Sequence, residues 1–238
     1  VFTFSFNPSY VIKNSIKIFG NISSGFKAPS LYQVYAEYRP LVGELEPEKS
    51  LSFESGIQYF KNNVNLRAVY FIRNIKDNIV FVNTNNPPYG YYTNADEQKD
   101  KGLELEASID FGKITLQANY VNLDGRIETK AGAKDTSFFN LYRRPAQTMN
   151  LDVGIEITKN WNMNISIQSI SKRFEPVYNN APVEMPAYYT WNLYSNYSVT
   201  KHLKAFVDLK NISNEKYSEV WGYNSRRFNF MTGVNLNF

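Results

Sequence analysis

Apolar and polar residues alternate over long stretches of this chain. Between residues 103 and 111 every odd position is apolar, and polar side chains, including Glu104 and Glu106, stand between them. Residues 226–238 repeat the pattern, with phenylalanines on one side and arginine or asparagine on the other. Successive side chains of an extended chain point to opposite faces. Period two therefore predicts strands that lie between an apolar and a polar medium.

Eleven segments with this pattern follow one another, each ten to thirteen residues long. They are residues 1–10, 15–24, 50–60, 64–74, 101–111, 114–123, 146–158, 162–174, 187–199, 203–213 and 226–238. Strands of soluble proteins average about 5–6 residues, whereas a tilted strand that crosses a bilayer needs about 9–11. The length of the segments therefore predicts membrane-spanning strands.

Short and long connections alternate along the chain. Tight turns are predicted near residues 11–14, 61–63, 112–113, 159–161 and 200–202, and long loops over residues 25–49, 75–100, 124–145, 175–186 and 214–225. Short turns at one end and long loops at the other are typical of outer-membrane barrels, and aromatic residues near the segment ends fit the interfacial girdles. We therefore predict an all-β, transmembrane antiparallel β-barrel with periplasmic turns and extracellular loops.

The number of predicted strands is odd, whereas bacterial single-chain barrels have an even number. An open arc of strands in lipid would leave two edges of unpaired backbone groups, each costing several kcal/mol. Residues 1–238 are therefore expected to form one part of a larger barrel. The alternative is a large soluble β-sandwich or propeller, but the chain lacks the blade repeat that a propeller needs.

Composition excludes several functional classes. The chain has no Cys, which rules out disulfides and thiolate metal sites. Its 26 basic and 22 acidic residues give a net charge of +4 without a basic run, so nucleic acid is not an expected partner. The only histidine, His202, lies in a predicted turn without Ser and Asp at a recognisable catalytic spacing. We therefore predict no enzyme, no catalytic residue, no cofactor and no metal site.

Five motifs, in order, resemble those of the TonB-dependent outer-membrane receptors. They are residues 25–35 (GFKAPSLYQVY), 45–56 (LEPEKS, then FESG), 94–106 (N, then KGLELE), 141–145 (LYRRP) and 211–227 (NISNEKY, GY and RR) with terminal Phe238. The resemblance covers essentially the whole chain. It implies the C-terminal half of a barrel of about 22 strands, with the plug, the TonB-binding segment and the first barrel half absent from this chain. It also implies that Phe238 is the signal read by the barrel-assembly machinery.

The resemblance implies a receptor of the bacterial outer membrane that binds a scarce nutrient and imports it when TonB opens the plug. Its expected partners are outer-membrane lipid, TonB, the barrel-assembly machinery, the missing plug and N-terminal strands, and a surface lipoprotein as a further candidate. Residues 27–35 and 45–50, Arg143-Arg144 and residues 217–223 match cobalamin receptors, although ferric-siderophore receptors share much of the pattern. Cobalamin is the expected ligand, and a ferric siderophore or a passive porin-like channel are the alternatives.

The candidate ligand-binding residues lie in the predicted loops and the upper lumen. Aromatic rings offer a large amphipathic ligand contact area at low entropic cost, and arginine binds phosphate or carboxylate groups in a forked geometry. The candidates are Tyr32, Tyr35, Tyr38, Arg39, Tyr89, Tyr91, Tyr92, Arg143, Arg144, Tyr178, Trp221 and Tyr223. Girdle, loop-packing or lumen-wall roles are the alternatives for these residues. Glu104 and Glu106 are expected to line the lumen beside basic neighbours, with catalysis or metal binding as the alternative.

Overall fold

The computed structural model describes residues 2–35, 44–83, 87, 90–131, 134–138, 142–175 and 182–237. Their elements are β1 (Ser5–Phe6), β2 (Ser9–Ile12), β3 (Ile16–Lys27), α1 (Leu31–Tyr35), β4 (Glu48–Lys61), β5 (Val64–Asn83), β6 (Gly90–Asp110), β7 (Ile114–Ala131), β8 (Lys134–Phe138), β9 (Gln147–Thr158), β10 (Trp161–Ile170), β11 (Arg173–Glu175), β12 (Val183–Met185), β13 (Tyr188–Ser198), β14 (Leu203–Lys210) and β15 (Asn229–Leu236). No helix in these ranges is long and apolar enough to cross a membrane.

One antiparallel sheet joins nearly all the strands in chain order. Its path is β1–β3–β4–β5–β6–β7–β9–β10–β13–β14–β15, with β2 also paired to β3 and β8 to β7, while β11 and β12 form a separate ribbon. Because β1 and β2 both pair with β3, they are two pieces of one strand. The path therefore has the eleven strands that the alternation predicts, and the all-β antiparallel fold class is confirmed.

The strand register separates apolar from polar side chains. Ile57 and Leu105 both pair with Ala68 and lie on one face of the sheet, whereas Arg67 pairs with Glu106 on the other. We call these the apolar face and the polar face. Ile57 is 50% exposed and Leu105 40%, although a soluble domain would cover such a continuous apolar surface. The apolar face is therefore suited to contact with lipid.

Both predicted lumenal glutamates lie on the polar face. Glu106 forms an ion pair with Arg67, with 2.8 Å between Oε1 and Nη1, and Glu104 pairs in register with Val69. Gly102, two residues before Glu104 on the same strand face, lies under the ring of Phe71, so a Cβ there would come within 2.5 Å of that ring. A glycine is required where a cross-strand aromatic ring covers the backbone this closely.

Strands β5, β6 and β7 are longer than predicted. They span 20, 21 and 18 residues, so most of the regions 75–100 and 124–145 form paired strands and not loops. The loop prediction is wrong there, because apolar residues follow one another at 79–82 and polar residues occupy both faces at 96–101. Alternation is lost, yet backbone pairing continues up to Asn83 and Gly90.

Three further boundaries differ from the prediction. β14 ends at Lys210 because Asn211 turns the chain with a φ of 50°. β10 ends at Ile170, and the residues that follow pair with β12. The loop predicted over residues 25–49 contains α1. By contrast, the tight turns are confirmed: Asn62, with a φ of 50°, and Gly112, with a φ of 84°, turn the chain between long strands.

Candidate functional site

Helix α1 carries two of the predicted ligand residues, Tyr32 and Tyr35. The backbone N–H of Ser30 donates to Oε1 of Gln33 (2.8 Å), and the backbone N–H of Gln33 donates to Oγ of Ser30 (3.2 Å). This reciprocal capping box satisfies two donors that a helix start leaves free. Tyr32 is 60% exposed and Tyr35 78%. The Ser-x-x-Gln spacing was the sequence signal for a helix inside the predicted loop.

The structure brings two of the predicted tyrosines together. The ring of Tyr32 meets that of Tyr92 edge to face at 6.3 Å, and Phe81 meets Tyr92 in the same way at 5.1 Å. We call Tyr32, Phe81 and Tyr92 the aromatic cluster. Tyr91 pairs with Val82 and points to the opposite side of the hairpin. Sequence reasoning missed Phe81, because it fell in a region that was predicted to be a loop.

Asn94 ties the LEPEKS motif to strand β6. Its Oδ1 accepts the backbone N–H of Glu46 (2.9 Å), and its Nδ2 donates to the backbone oxygens of Glu46 (2.8 Å) and Asp77 (2.6 Å). One amide side chain thus binds both backbone groups of Glu46, as a neighbouring strand would. Two motifs that are 48 residues apart in sequence are joined by this contact.

Glu48 provides a second contact, at the base of the connection between β3 and β4. Its carboxylate accepts hydrogen bonds from Nζ of Lys27 (3.2 Å) and from the backbone N–H of Ile79 (3.0 Å). Lys27 ends β3 and Glu48 begins β4, so the pair closes the connection that carries α1. Glu48 is buried, and a buried carboxylate needs such partners. Glu48 and Asn94 together hold this connection on the β5–β6 hairpin that bears Tyr92.

Arg143 is bound to a buried carboxylate. Its Nε donates to Oε1 of Glu175 at 2.8 Å, and its Nη2 lies 2.6 Å from the same oxygen. Its backbone N–H donates to the backbone oxygen of Phe174. The side chain of Glu175 is only 5% exposed. The structure therefore gives Arg143 a structural partner, which the sequence prediction of a ligand-binding role did not include.

Arg144 lines a cavity of about 310 Å³ on the polar face. Glu54, Glu104 and Arg73 also line this cavity. Arg73 is bound to the fully buried Asp100, which also accepts hydrogen bonds from Gln98. Within the described ranges, Arg144, Glu54 and Glu104 have no ion-pair partner. The cavity therefore offers charged groups of both signs to whatever fills the space inside the wall.

A second aromatic pair lies at the top of β13, and sequence reasoning missed it. Tyr188 stacks on Tyr217 with 4.2 Å between ring centroids, and the guanidinium of Arg173 lies 5.5 Å from the centroid of Tyr188. Nη2 of Arg173 donates to the backbone oxygens of Ser218 (2.8 Å) and Glu219 (3.0 Å). Arg173 is 5% exposed, so this cluster fastens the last loop instead of presenting a binding surface.

Asn211 explains the NISNEKY motif. Its Oδ1 accepts the backbone N–H of Glu215 (2.8 Å), and its Nδ2 donates to the backbone oxygens of Glu215 (2.9 Å) and Arg226 (3.3 Å). The motif is therefore a fastening for the loop between β14 and β15. The predicted ligand residues Trp221 and Tyr223 lie on this loop, 51% and 74% exposed, and neither ring contacts the aromatic cluster in the part of the chain that the structure describes.

Five of the predicted residues, Tyr38, Arg39, Tyr89, Tyr178 and Phe238, lie outside the described residues. The ligand-binding role of the whole set stays a prediction. The geometry groups its members into an aromatic cluster beneath α1, a cavity that contains Arg144, and an exposed final loop.

Solved structures with a similar fold cover nearly the whole chain. The siderophore receptor PirA from Acinetobacter baumannii matches with a TM-score of 0.77 at 18% identity, over 99% of this chain and 41% of that one. The ferric-catecholate import receptor Fiu from E. coli K12 gives 0.79 at 15%, over 98% and 34%. The copper transporter OprC gives 0.79 at 16%, over 98% and 39%. At these identities the matches show the fold, and the chain spans about two fifths or less of each structure's length.

A family model gives the assignment independently of the structure. The model described as TonB dependent receptor-like, beta-barrel, matches residues 1–212, which is most of the chain. The match includes the first four of the five motifs and ten of the eleven strands of the path. The chain belongs to the TonB-dependent receptor family and is part of its β-barrel.

Proposed function

We propose that this chain is one part of the wall of an outer-membrane receptor that binds a scarce nutrient and imports it with energy supplied through TonB. The observation that carries the proposal is the family match over residues 1–212. It coincides with a sheet whose apolar face is exposed and whose other face is polar. In this reading the plug and the remaining strands belong to the longer protein, the apolar face contacts lipid, and the polar face encloses the plug.

The proposed ligand is a ferric siderophore. The names of two of the three solved structures reported above specify siderophore or ferric-catecholate import, and the third specifies copper. Cobalamin, which the motifs favour, has no support in these comparisons. The aromatic cluster suits a ligand with planar rings, and Arg144 offers a forked donor to an anionic metal chelate.

The mechanism follows from this architecture. Ligand binds above the wall, at the aromatic cluster and the upper lumen, and TonB then opens the plug from the periplasmic side. Coupling to TonB is assigned to the parts of the receptor outside this chain. The barrel-assembly machinery and a surface lipoprotein are proposed as further partners of the longer protein.

The experiment is uptake by cells that express the full-length receptor in place of their own siderophore and cobalamin receptors. Radioactive iron is supplied on a panel of catecholate, hydroxamate and carboxylate siderophores, and labelled cyanocobalamin is supplied in parallel. Each assay is run with and without TonB. We expect TonB-dependent accumulation of iron from one siderophore class and none of cyanocobalamin.

Three results would change the proposal. TonB-dependent uptake of cyanocobalamin alone would replace the siderophore by cobalamin. Uptake that is the same without TonB would favour the passive channel. Binding of a ligand at the cell surface without uptake would indicate a capture protein.

A further inference from the structure

The five tight turns lie at one edge of the sheet, and each has a lysine in it or directly beside it. They join β2 to β3, β4 to β5, β6 to β7, β9 to β10 and β13 to β14, which are alternate connections along the strand path. Alternate connections of an antiparallel path fall at the same edge of a sheet. We call the five lysines the basic edge: Lys13, Lys61, Lys113, Lys159 and Lys201.

The basic edge has no counter-charge of its own. All five lysines are exposed, and none of them forms an ion pair within the part of the chain that the structure describes. Two carboxylates, Asp110 and Glu156, lie within three residues of these lysines. Asp110 accepts the backbone N–H of Gly112 at 2.6 Å and so stabilises the turn. The edge therefore carries an excess of positive charge that is open to an external partner.

Lysines towards the opposite edge of the sheet are paired. Each of five such lysines lies within 3.7 Å of a carboxylate oxygen, namely Lys27, Lys49, Lys76, Lys101 and Lys172. The chain thus places acids beside its lysines at one edge and leaves the lysines unpaired at the other. This asymmetry indicates that the basic edge serves contact with an anion and not only solubility.

The geometry of the turns does not require lysine. Asn62 and Gly112, with φ of 50° and 84°, provide the left-handed conformation beside Lys61 and Lys113. Lys13 itself has a φ of 47°, in a region that Asn and Gly adopt more readily. The backbone therefore leaves the choice of residue free at Lys61 and Lys113, and at Lys13 it disfavours lysine.

The basic edge begins where the exposed aromatic residues end. Tyr59, Phe111 and Trp161 are 37%, 69% and 41% exposed, and each lies two residues from a lysine of the edge. Exposed aromatic rings near the strand ends of a membrane barrel lie at the level of the lipid headgroups. The turns continue beyond that level, so the basic edge reaches the water under the membrane.

The spacing of the lysines suits an extended partner. Neighbouring strands lie about 4.8 Å apart, so turns two strands apart are separated by about 10 Å and the five turns span about 40 Å. A single anionic group can bridge two neighbouring turns at most. A polymer with anionic groups at intervals can contact the whole row, and contacts that are weak one by one then act together.

We propose that the basic edge binds a linear polymer that carries carboxylates at regular intervals, as the peptide-bearing glycan of the bacterial cell wall does. Each lysine contacts a separate carboxylate of the polymer. The inference rests on the orientation in the proposed function, which puts the tight turns in the periplasm. The contact holds the receptor on the polymer whether or not nutrient is bound.

The test is co-sedimentation of the full-length receptor, purified in a neutral detergent, with isolated peptidoglycan sacculi. Sacculi whose carboxylates have been converted to amides serve as the comparison polymer, and phosphatidylglycerol micelles and monomeric muropeptide serve as competitors. The edge variant is Lys13→Gln/Lys61→Gln/Lys113→Gln/Lys159→Gln/Lys201→Gln, and a second variant has Arg at the same five positions. The matched control removes five exposed charges elsewhere: Lys49→Gln/Lys76→Gln/Lys101→Gln/Lys172→Gln/Lys210→Gln.

We expect the edge variant to bind sacculi about thirtyfold more weakly, since each exposed ion pair contributes about twofold. The arginine variant and the matched control should stay within about threefold of the wild type. Added salt should weaken binding of the wild type, because screening acts on exposed charges. Heat-dependent migration on a detergent gel checks that each variant forms a folded barrel.

Four results would overturn the inference. Two concern the variants: unchanged affinity of the edge variant, or an equal loss in the matched control. A third is equally strong binding of the amidated sacculi, which would exclude the carboxylates. The fourth is full displacement by either competitor, because phosphatidylglycerol would indicate a lipid surface and monomeric muropeptide a single compact site. The assay needs neither nutrient nor TonB, so failure of the siderophore proposal leaves its result readable.

Discussion

The sheet has a region of long strands and a region of short strands, and the two hold their upper connections in different ways. In one region, β5, β6 and β7 extend to 18–21 residues, and backbone pairing itself carries Tyr92 beyond the alternating segment that begins at Leu103. On the other side, β9, β10, β13, β14 and β15 have 8–12 residues, and their connections are fastened by buried polar side chains. We call the region of β5, β6 and β7 the tall side and the region of β9 to β15 the short side. Loss of one side chain should therefore lower stability more on the short side than on the tall side.

The largest effect is expected on the short side, for Arg143→Ala. This change leaves the buried carboxylate of Glu175 without its cation, and breaking such a pair costs about 3 kcal/mol of unfolding free energy. Guanidinium unfolding of the refolded receptor measures it. Arg144→Ala is the control, because Arg144 lines an open cavity and has no ion-pair partner among the described residues. Equal stability of the two variants would contradict the structural role of Arg143, and Arg143→Ala/Glu175→Leu should recover part of the loss.

Asn211→Ala is the next strongest test of the short side. It removes three hydrogen bonds to the backbone of the last loop, and two of the freed groups belong to Glu215. Leaving such groups unsatisfied costs about 2 kcal/mol. The same unfolding measurement, with the exposed Asn235→Ala as control, checks it. An Asn211 variant as stable as the control would show that water replaces these hydrogen bonds at no cost.

On the tall side the largest expected effect is on ligand affinity and not on folding. Tyr92→Ala removes the central ring of the aromatic cluster, and we expect about a tenfold loss of affinity for the imported ligand. Tyr91→Ala is the matched control, since Tyr91 is its neighbour in sequence but points to the opposite side of the hairpin. Ligand titration by tryptophan fluorescence distinguishes them. Equal losses would mean that the ligand contacts the hairpin from both sides.

The fold was predictable from sequence wherever one side of a strand faces a different medium from the other. That condition holds from Leu103 to Ile109, and the register confirms it. It fails at residues 96–101 of β6, where polar residues occupy both faces, so strands were taken for loops. Alternation of apolar and polar residues appears where the two faces of a strand contact different media. Where both faces carry polar residues, a strand cannot be recognised from this alternation.

The site was less predictable, for a related reason. The motifs were recognisable in the sequence, but Asn94 binds the backbone of Glu46, 48 residues away, which no local pattern encodes. Asn211 binds Glu215 within its own motif and also reaches Arg226. Arg143 looked like a ligand residue because its partner, Glu175, lies 32 residues further along the chain. Tyr32 and Tyr92 were both proposed as aromatic residues of two separate predicted loops, and the contact between α1 and the β5–β6 hairpin brings them together.

Asn94→Ala tests how far the tall side depends on a side chain. It frees both backbone groups of Glu46, and we expect about 1 kcal/mol of lost stability, because these groups are near the surface and water can replace the amide. The connection between β3 and β4 should also be cut faster by a protease. Asn74→Ala, on the apolar face of the same hairpin, is the control. A loss as large as that of Asn211→Ala would remove the distinction between the two sides.

The smallest effect is expected at Glu97, on β6 beside Lys76. A hydrogen bond from Lys99, at 3.1 Å, lowers the pKa of Glu97 below its ordinary value against a partial desolvation, and Lys76 adds a weaker attraction at 3.7 Å. A lowered folded-state pKa means that the carboxylate contributes stability above its unfolded-state pKa of about 4.3 and loses it as the pH falls through the lower value. Glu97→Gln should therefore cost only a few tenths of a kcal/mol at neutral pH, as exposed pairs do, and nothing in acid. Unfolding curves at both pH values, with Glu104→Gln as the unpaired control, measure the difference. A cost that persists in acid would show that the side chain acts through packing and not through charge.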